Sequence, residues 1–402
     1  MTLYEWGWLF ALPGLLMSWF HILRHGWRFV TPSPEFLPPS SARIIFLIAA
    51  RETSALVQQS VDAIHKACAD VAFNNYEVMA TVQRVPMGLR GIKVIQVPES
   101  FTCKSQFKAR QLQYALRYLP DSKDAWTLHL DEDALVTSHC VYSILSYIAK
   151  GGKPVANGPS VFPDKNPLML VAETNRQWTF YWLKDQLLSG RPFWLNGSNL
   201  LIRSDVEQQV GWDSGASFGE DSRFGLIGWK KLGNIFGWHG GLVIEAAPSN
   251  ITGLFRQRRR WYRSSWLNLK EVPLRWWPRR IYSVLGWNMG FILALAFWAS
   301  PTPVFETWGV LVWLMLPSAI LWQARYQQGI YWNLKYGSFS NAKKLWYHLL
   351  AIPLAPVADV LCGMPTWWSA MNPPRTFEIT SKKAWEVAKS PPLLHRAGAL
   401  MK

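Results

Sequence analysis

Residues 126–133 read Trp126-Thr127-Leu128-His129-Leu130-Asp131-Glu132-Asp133, an apolar run that ends abruptly in three acidic residues. This is the pattern of a buried strand that delivers side chains to a polar edge. On an extended chain Asp131 and Asp133 are two apart and face the same side. Two carboxylates on one side suit a hard divalent cation carrying a diphosphate. The plain alternative is an acidic turn after a strand, and the rest of the chain must decide between the two.

Upstream the pattern is that of an α/β unit. Arg43 to Ala50 reads as a buried strand, followed by Arg51-Glu52-Thr53 as a turn and Ser54 to Val71 as a helix. Tyr76 to Val82 and Ile92 to Val97 read as two more strands, Lys104 to Leu119 as a helix, and Ala125 to Leu130 as the strand bearing the acids. Strands alternating with helices imply a largely parallel sheet. Ligands of such sheets bind beyond the carboxyl ends of the strands, where both Arg51-Glu52-Thr53 and Asp131-Glu132-Asp133 fall. Downstream, Met169 to Leu188 reads as a Trp/Tyr-rich helix and Asn196-Gly197-Ser198-Asn199 as a polar turn between apolar flanks. Phe218-Gly219-Glu220-Asp221 opens another helix.

The chain of 402 residues carries a formal charge of +16, is half hydrophobic and contains 25 Trp. A basic, Trp-rich chain suits nucleic acid or an anionic membrane surface, and long uncharged runs favour the membrane. Tyr4 to Leu23 is long enough to span a bilayer and is followed by Arg24 and Arg28, which places its end in the cytoplasm. Ile281 to Ser300 carries no formal charge, and Thr307 to Gln323 is a second, shorter apolar run. Arg275, Arg279 and Arg280 precede this pair and Arg325 follows it, so the hairpin begins and ends inside. Leu345 to Met364 is apolar but is broken by Pro353, Pro356 and Gly363, contains Asp359, and precedes a basic tail. It reads as an interfacial or re-entrant helix. The four cysteines form no C-x-x-C pair, so neither a zinc site nor a disulfide framework follows.

Arg256, Arg258, Arg259, Arg260 and Arg263 lie in one eight-residue stretch, which alone would read as a basic patch for a membrane or nucleic acid. Four motifs together give it another meaning. Asp131-Glu132-Asp133 looks like a D-x-D, Glu220-Asp221 like an E-D pair, Gln257 to Trp261 matches Q-x-x-R-W, and Phe377 to Lys382 is close to F-x-V-T-x-K, with Ile379 in place of Val. In this order the chain resembles the membrane-bound family-2 glycosyltransferases, the group of cellulose and hyaluronan synthases. In cellulose synthases a Thr stands where this chain has Gly219. Within the family it is most similar to egghead-type β-1,4-mannosyltransferases, on His129-Leu130-Asp131-Glu132 and Phe107 to Tyr114, over roughly residues 43 to 270.

The resemblance implies a GT-A-like (Rossmann-like) mixed α/β sheet domain with α-helical transmembrane segments. The implied organisation is an N-terminal transmembrane helix over 1–30, a linker over 31–42, a cytoplasmic GT-A domain over 43–255 and amphipathic interface helices over 256–280. A transmembrane hairpin over 281–326, the interfacial or re-entrant helix over 345–370 and a cytoplasmic tail over 371–402 follow. The chain would be an integral membrane protein of a plasma, inner or ER/Golgi-type membrane.

By resemblance, Asp131 and Asp133 would bind Mg²⁺ or Mn²⁺ and the donor, with Asp133 as the direct metal ligand. Oxygen ligands fit either ion. Asp221 would be the base that takes the acceptor proton, with Glu220 orienting it. A helix-start acid pair is the alternative reading of these two. Lys108 and Arg110, at a helix start, would reach the donor, a solvated basic face being the alternative. Arg51 and Glu52 would lie beside the donor. Gln257 and Arg260 would bind the diphosphate side and Trp261 the acceptor sugar, since positions i, i+3 and i+4 share a helix face. Arg258 and Arg259 would point to lipid headgroups. Thr380 and Lys382 would touch phosphate from a loop closing over the nucleotide. Many family members place an Asp after the second strand to read the base. Here Gln83-Arg84 stand there, which leaves UDP and GDP open.

The implied reaction is inverting transfer of a hexose from a nucleotide-sugar donor to a lipid-borne or membrane-proximal glycan, with a β-linkage. Membrane lipids are expected partners and nucleic acid is not. A processive polysaccharide synthase of cellulose, mannan or hyaluronan type is one alternative, for which an oligomer would supply the missing channel helices. A non-enzymatic basic membrane adaptor is the other.

Overall fold

The computed structural model describes residues 41–268, 271–277 and 309–374. The expected span at 1–30, most of the linker at 31–42, the first half of the hairpin, and Thr380 and Lys382 lie outside them.

Strand β1 (Arg43–Ala49) leads into helix α1 (Ala55–Asp70), whose first turn is capped by the Ser54 hydroxyl accepting from Val57 N–H. Strands β2 (Tyr76–Val82) and β3 (Lys93–Gln96), helix α2 (Phe107–Ala115) and strand β4 (Ala125–Asp131) follow. β1 and β4 pair in parallel at the centre, with Ile48 opposite Leu130 and Ala49 opposite Asp131. The strands are apolar on both faces because both faces are covered. On one side Phe46, Ile48, Leu128 and Leu130 pack against Val57, Val61 and Ile64 of α1 and against Val141, Ile144 and Leu145 of α3 (Ser138–Ala149). On the other, Ile45 and Leu47 share a core with Leu112 of α2, Phe180 and Leu183 of α4 (Pro167–Leu188) and Phe224 of α6 (Glu220–Leu232).

The remaining strands are β5 (Leu135–Val136), β6 (Val155–Asn157), β7 (Ser160–Val161), β8 (Leu200–Arg203), β9 (Phe236–Trp238) and β10 (Val243–Ile244). The main sheet runs β3-β2-β1-β4-β8-β6-β9, and β5-β10-β7 form a small second sheet. The sheet is largely parallel, as strand–helix alternation implies, and is mixed because one strand, β8, pairs antiparallel with both β4 and β6. The change of direction falls at β4. Asp131 therefore sits at the carboxyl end of the last strand of the parallel half, beside the reversal. Helix α5 (Ser204–Val210) follows β8 directly.

Three long helices form a further layer: α7 (Ile251–Asn268), α8 (Gly309–Lys335) and α9 (Asn341–Met371). Tyr326, Ile330 and Leu334 of α8 and Tyr347, Ala351, Ala355, Ala358 and Cys362 of α9 share a core with Met169 to Ala172 of α4 and Leu254 of α7. α8 thus continues beyond the apolar run ending at Gln323 and docks on the sheet domain. α9 is unbroken although Pro353, Pro356 and Pro365 lie inside it. Its small residues recur every three or four positions and face the protein, while Leu345, Trp346, Leu349, Ile352, Val357, Met364 and Trp368 are exposed. Asp359, the acid inside this apolar stretch, accepts hydrogen bonds from Trp322 Nε1 (2.8 Å) on α8 and from Asn175 Nδ2 (3.4 Å) on α4. Among the described residues α9 is the one helix long and apolar enough to cross a membrane, by length and composition.

Candidate active site

The centre of the site is Lys108, in the first turn of α2. Its ammonium donates to Asp131 Oδ1 (2.5 Å) and to the carbonyl of Gly197 (3.1 Å). The Lys108 side chain is 16% exposed and that of Asp131 38%. Burial pulls the Lys108 ammonium down, but Asp131, Glu220 and Asp221 outweigh it and hold Lys108 charged, above the ordinary lysine range. One buried cation therefore joins the acid that ends β4 to the acid pair that opens α6.

Asp221 lies on the other side of this cation. Gly219, in the left-handed conformation (φ 64°), caps α6 and makes Glu220 and Asp221 its first helical residues. Asp221 Oδ1 accepts from Ser222 N–H at 2.6 Å. Its second oxygen looks toward Gly197. A Cβ at position 197 would lie 3.1 Å from Asp221 Oδ2 and 3.3 Å from Lys108 Nζ. Burial, then the neighbouring Glu220, push the Asp221 carboxyl up to about 7, against the Ser222 amide and Lys108, which lower it. Helix capping does not account for Asp221, because the cap is Gly219. A carboxylate that titrates near neutrality beside a fixed cation is suited to proton transfer.

The loop Asn196–Asn199 completes the cradle. Asn157 Nδ2 donates to the carbonyls of Asn196 and Asn199, and Asn157 Oδ1 accepts from Asn196 N–H. Asn199, at positive φ, ties the loop to Pro159 and Gly241 through its amide group. Ser198 Oγ accepts from the Asp131 amide at 3.3 Å, which fixes the end of β4. Gly197 was not visible as a site residue in the sequence. Its part is to leave room, and only the fold says where the room lies.

Gly219 has a similar explanation. A Cβ there would fall 1.6 Å from Ser264 Oγ, and Asn268 Nδ2 donates to the Gly219 carbonyl at 3.3 Å. α7 thus seats the start of α6 from behind.

Other expected residues are placed differently. Asp133 does not share a strand face with Asp131. β4 ends at Asp131, the chain turns through Ala134 N–H bonding back to the Asp131 carbonyl, and Asp133 is fully buried. Its Oδ2 accepts from Ala246 N–H at 2.8 Å. Arg110 clamps the segment after β3 by donating to the carbonyls of Pro98, Glu99 and Phe101, and does not join Lys108. Arg51 and Glu52 are exposed at the end of β1, where Glu52 bridges to Arg84.

On α7 the expected division of labour is reversed for one arginine. Arg258 does not reach lipid headgroups; it is the largest fully buried side chain among the described residues. It donates to Glu173 Oε1 (2.7 Å) and Gln257 Oε1 (2.9 Å) and lies over the Trp261 ring. Arg176 approaches the same ring and also faces Glu173 and Glu245. Gln257 and Trp261 are therefore part of a buried ionic cluster. Arg260 is partly buried, and Arg259 Nε donates to the Asn372 carbonyl.

Among the described residues no three His, Cys, Asp or Glu side chains are placed to hold a metal ion. That excludes a closed protein cage among these residues. A Mg²⁺ or Mn²⁺ that completes its shell with phosphate oxygens and water needs only one or two carboxylates. Asp131, partly exposed at the strand end, suits the carboxylate share.

The sheet carries Asp131 at the end of β4, beside the reversed strand β8, and Asp221 stands at the start of α6; this is a GT-A-like arrangement. The fold is shared with the mannosyltransferase PcManGT from Pyrobaculum calidifontis, solved with GDP-Man and Mn²⁺, at a TM-score of 0.51 and 12% identity over 89% of this chain and 96% of that one. Residues 126–326, half of the chain, match the model of glycosyl transferase family group 2, and the chain belongs to that family. It is 27% identical over 238 residues to β-1,4-mannosyltransferase egh of Drosophila melanogaster (55% of this chain, 51% of that protein). It is 28% identical over 225 residues to β-1,4-mannosyltransferase bre-3 of Caenorhabditis briggsae (51% and 48%). The chain spans about half the length of the curated relatives it matches.

Proposed function

We propose that this family-2 glycosyltransferase moves a hexose from a nucleotide-sugar to a lipid-borne or membrane-proximal glycan, with inversion to a β-linkage. The observation that carries the reading is the Lys108 ammonium held between Asp131 and the Glu220–Asp221 pair. The acceptor hydroxyl oxygen forms a bond to the sugar's anomeric carbon as the bond from that carbon to the diphosphate breaks, and the hydroxyl proton passes to the Asp221 carboxylate. Asp221, pushed up to about 7, is matched to that transfer near neutral pH. Lys108 fixes Asp131 and keeps positive charge where the leaving group gains negative charge. Glu220 keeps the Asp221 carboxyl high. Mg²⁺ or Mn²⁺, bound with Asp131, would neutralise the diphosphate; Asp133 supports the turn that presents Asp131. A single base and direct displacement support inversion.

The mannosyltransferase names of egh, bre-3 and PcManGT, and the GDP-Man bound to the last, make GDP-mannose the first donor to try. The exposed apolar face of α9 and the charge-free run at 281–300 support a membrane setting, and Arg275, Arg279, Arg280 and Arg325 around the apolar pair support a cytoplasmic sheet domain. The test is transfer of labelled mannose from GDP-mannose into a lipid extract by the purified chain with Mn²⁺. A short labelled glycolipid carrying a β-linkage is expected. A ladder of long chains would favour the processive alternative, and label incorporation that survives loss of Asp131 and Asp221 would remove the site from the reaction.

A further inference from the structure

A second cleft lies at the far end of α6, eight residues or about 12 Å of helix beyond Asp221. It has a volume of about 360 Å³ and is lined by Ser189, Gly190, Arg191, Trp229, Arg275 and Trp276, within the size range of small-ligand sites. Trp229 and Trp276 form its floor, edge to face with centroids 4.4 Å apart. The Arg275 guanidinium lies over both rings, 5.7 and 6.0 Å from their centroids. Arg191 is exposed at the rim. Neither guanidinium has an ion-pair partner among the described residues. Glu271, four residues before Arg275, is taken up by Lys230 (2.8 Å) and Arg223 (3.5 Å). The cleft is preformed: Gly190 sits at φ 68° with the Asn234 side chain packed where a Cβ would go, and Trp276 is buried against Phe193.

Two further features say what kind of anion it takes. Leu188 and Leu274 flank the cleft and are 59% and 77% exposed, which is costly in water and favourable against hydrocarbon. The chain beyond Trp277 passes Arg279 and Arg280 and enters the run at 281–300 that carries no formal charge. One guanidinium above indole rings and a second at the rim, neither ion-paired among the described residues, with apolar residues beside them, match the boundary between phosphate headgroups and acyl chains.

We propose that this cleft binds the phosphate of an anionic membrane lipid, gripped by Arg191 and Arg275 over the Trp229–Trp276 floor, with Leu188 and Leu274 against the first part of the acyl chains. The site holds the sheet domain to the bilayer at a point away from Lys108 and Asp221. The proposal rests on the cleft's own chemistry and does not depend on which sugar is moved.

The test uses the full chain, purified in detergent and stripped of lipid, with dioctanoyl phosphatidylglycerol as probe and bound lipid counted by native mass spectrometry. Arg191→Gln/Arg275→Gln is expected to lower phosphatidylglycerol affinity roughly thirty-fold, with an unchanged melting temperature because both side chains are exposed. The remote pair Arg90→Gln/Lys123→Gln, which removes the same charge elsewhere, should leave binding intact. Inorganic phosphate at equal concentration should displace little, since it lacks the apolar part. Unchanged binding in the cleft variant, or equal loss in the remote variant, would overturn the site. Equal displacement by inorganic phosphate would overturn its assignment to lipid.

Discussion

The Lys108 ammonium lies 2.5 Å from Asp131 Oδ1 and is held in its charged form by Asp131, Glu220 and Asp221 together. Replacing Lys108 by Met leaves three acids around an empty centre. Nucleotide release should fall by on the order of 10²-fold or more. Lys108→Arg should restore little, because the planar fork cannot reproduce a point charge shared by Asp131 and the Gly197 carbonyl. Steady-state rates on the purified variants check this.

Asp221 gives a pH dependence of definite sign. Its carboxyl is raised to about 7, so the base form is lost as pH falls through that value, and the rate should drop on the acid side of neutrality. Stability runs the other way. Between the ordinary carboxylate value of 3.8 and about 7 the folded state holds a proton that the unfolded state has lost, so this group makes the fold less stable as pH rises through that window. Asp221→Asn should abolish the acid limb along with activity. It should also melt higher than the parent at pH 7.5, and the gap should close toward pH 4. Melting curves across that range decide it; a gap constant with pH would contradict the raised carboxyl.

Gly197→Val should fold and fail to turn over. The new side chain enters the space between Asp221 Oδ2 and Lys108 Nζ, and circular dichroism beside activity separates this from misfolding. Gly219→Ala should instead destabilise, since it places a side chain at φ 64° and against Ser264. Adding Ser264→Gly should recover the steric part and leave the backbone part, about 1 kcal/mol.

Arg258→Met removes the nearer partner of Glu173, at 2.7 Å with both side chains fully buried, and leaves only Arg176 at 3.3 Å. A loss of about 3–5 kcal/mol is expected by denaturant unfolding. Arg258→Met with Glu173→Gln should recover much of it, which a double-mutant cycle would register as coupling.

These residues also show what a sequence can disclose. Asp131 was legible because a strand buried on both faces carries no carboxylate until it ends, so the first acid marks the edge. Glu220 and Asp221 were legible as a motif at a helix start. The strand β8 was not legible as an antiparallel insertion, since Leu200 to Arg203 is apolar in either direction and only pairing with β4 and β6 sets its sense. Arg258 looked like part of a surface patch because its partner Glu173 is 85 positions away on α4. Asp133 looked equivalent to Asp131 because an alternation rule was carried two residues past the end of the strand.

The most direct measurement is nucleotide release from a panel of UDP- and GDP-sugars, with Mg²⁺ or Mn²⁺ and native membrane lipids, by the parent chain and by Asp221→Asn. The account predicts that the parent releases nucleotide from at least one donor in a metal-dependent and acceptor-dependent way, and that Asp221→Asn retains donor binding but loses release by about 10²–10⁴-fold. Release by Asp221→Asn at the parent's rate, with acceptor present, would contradict it.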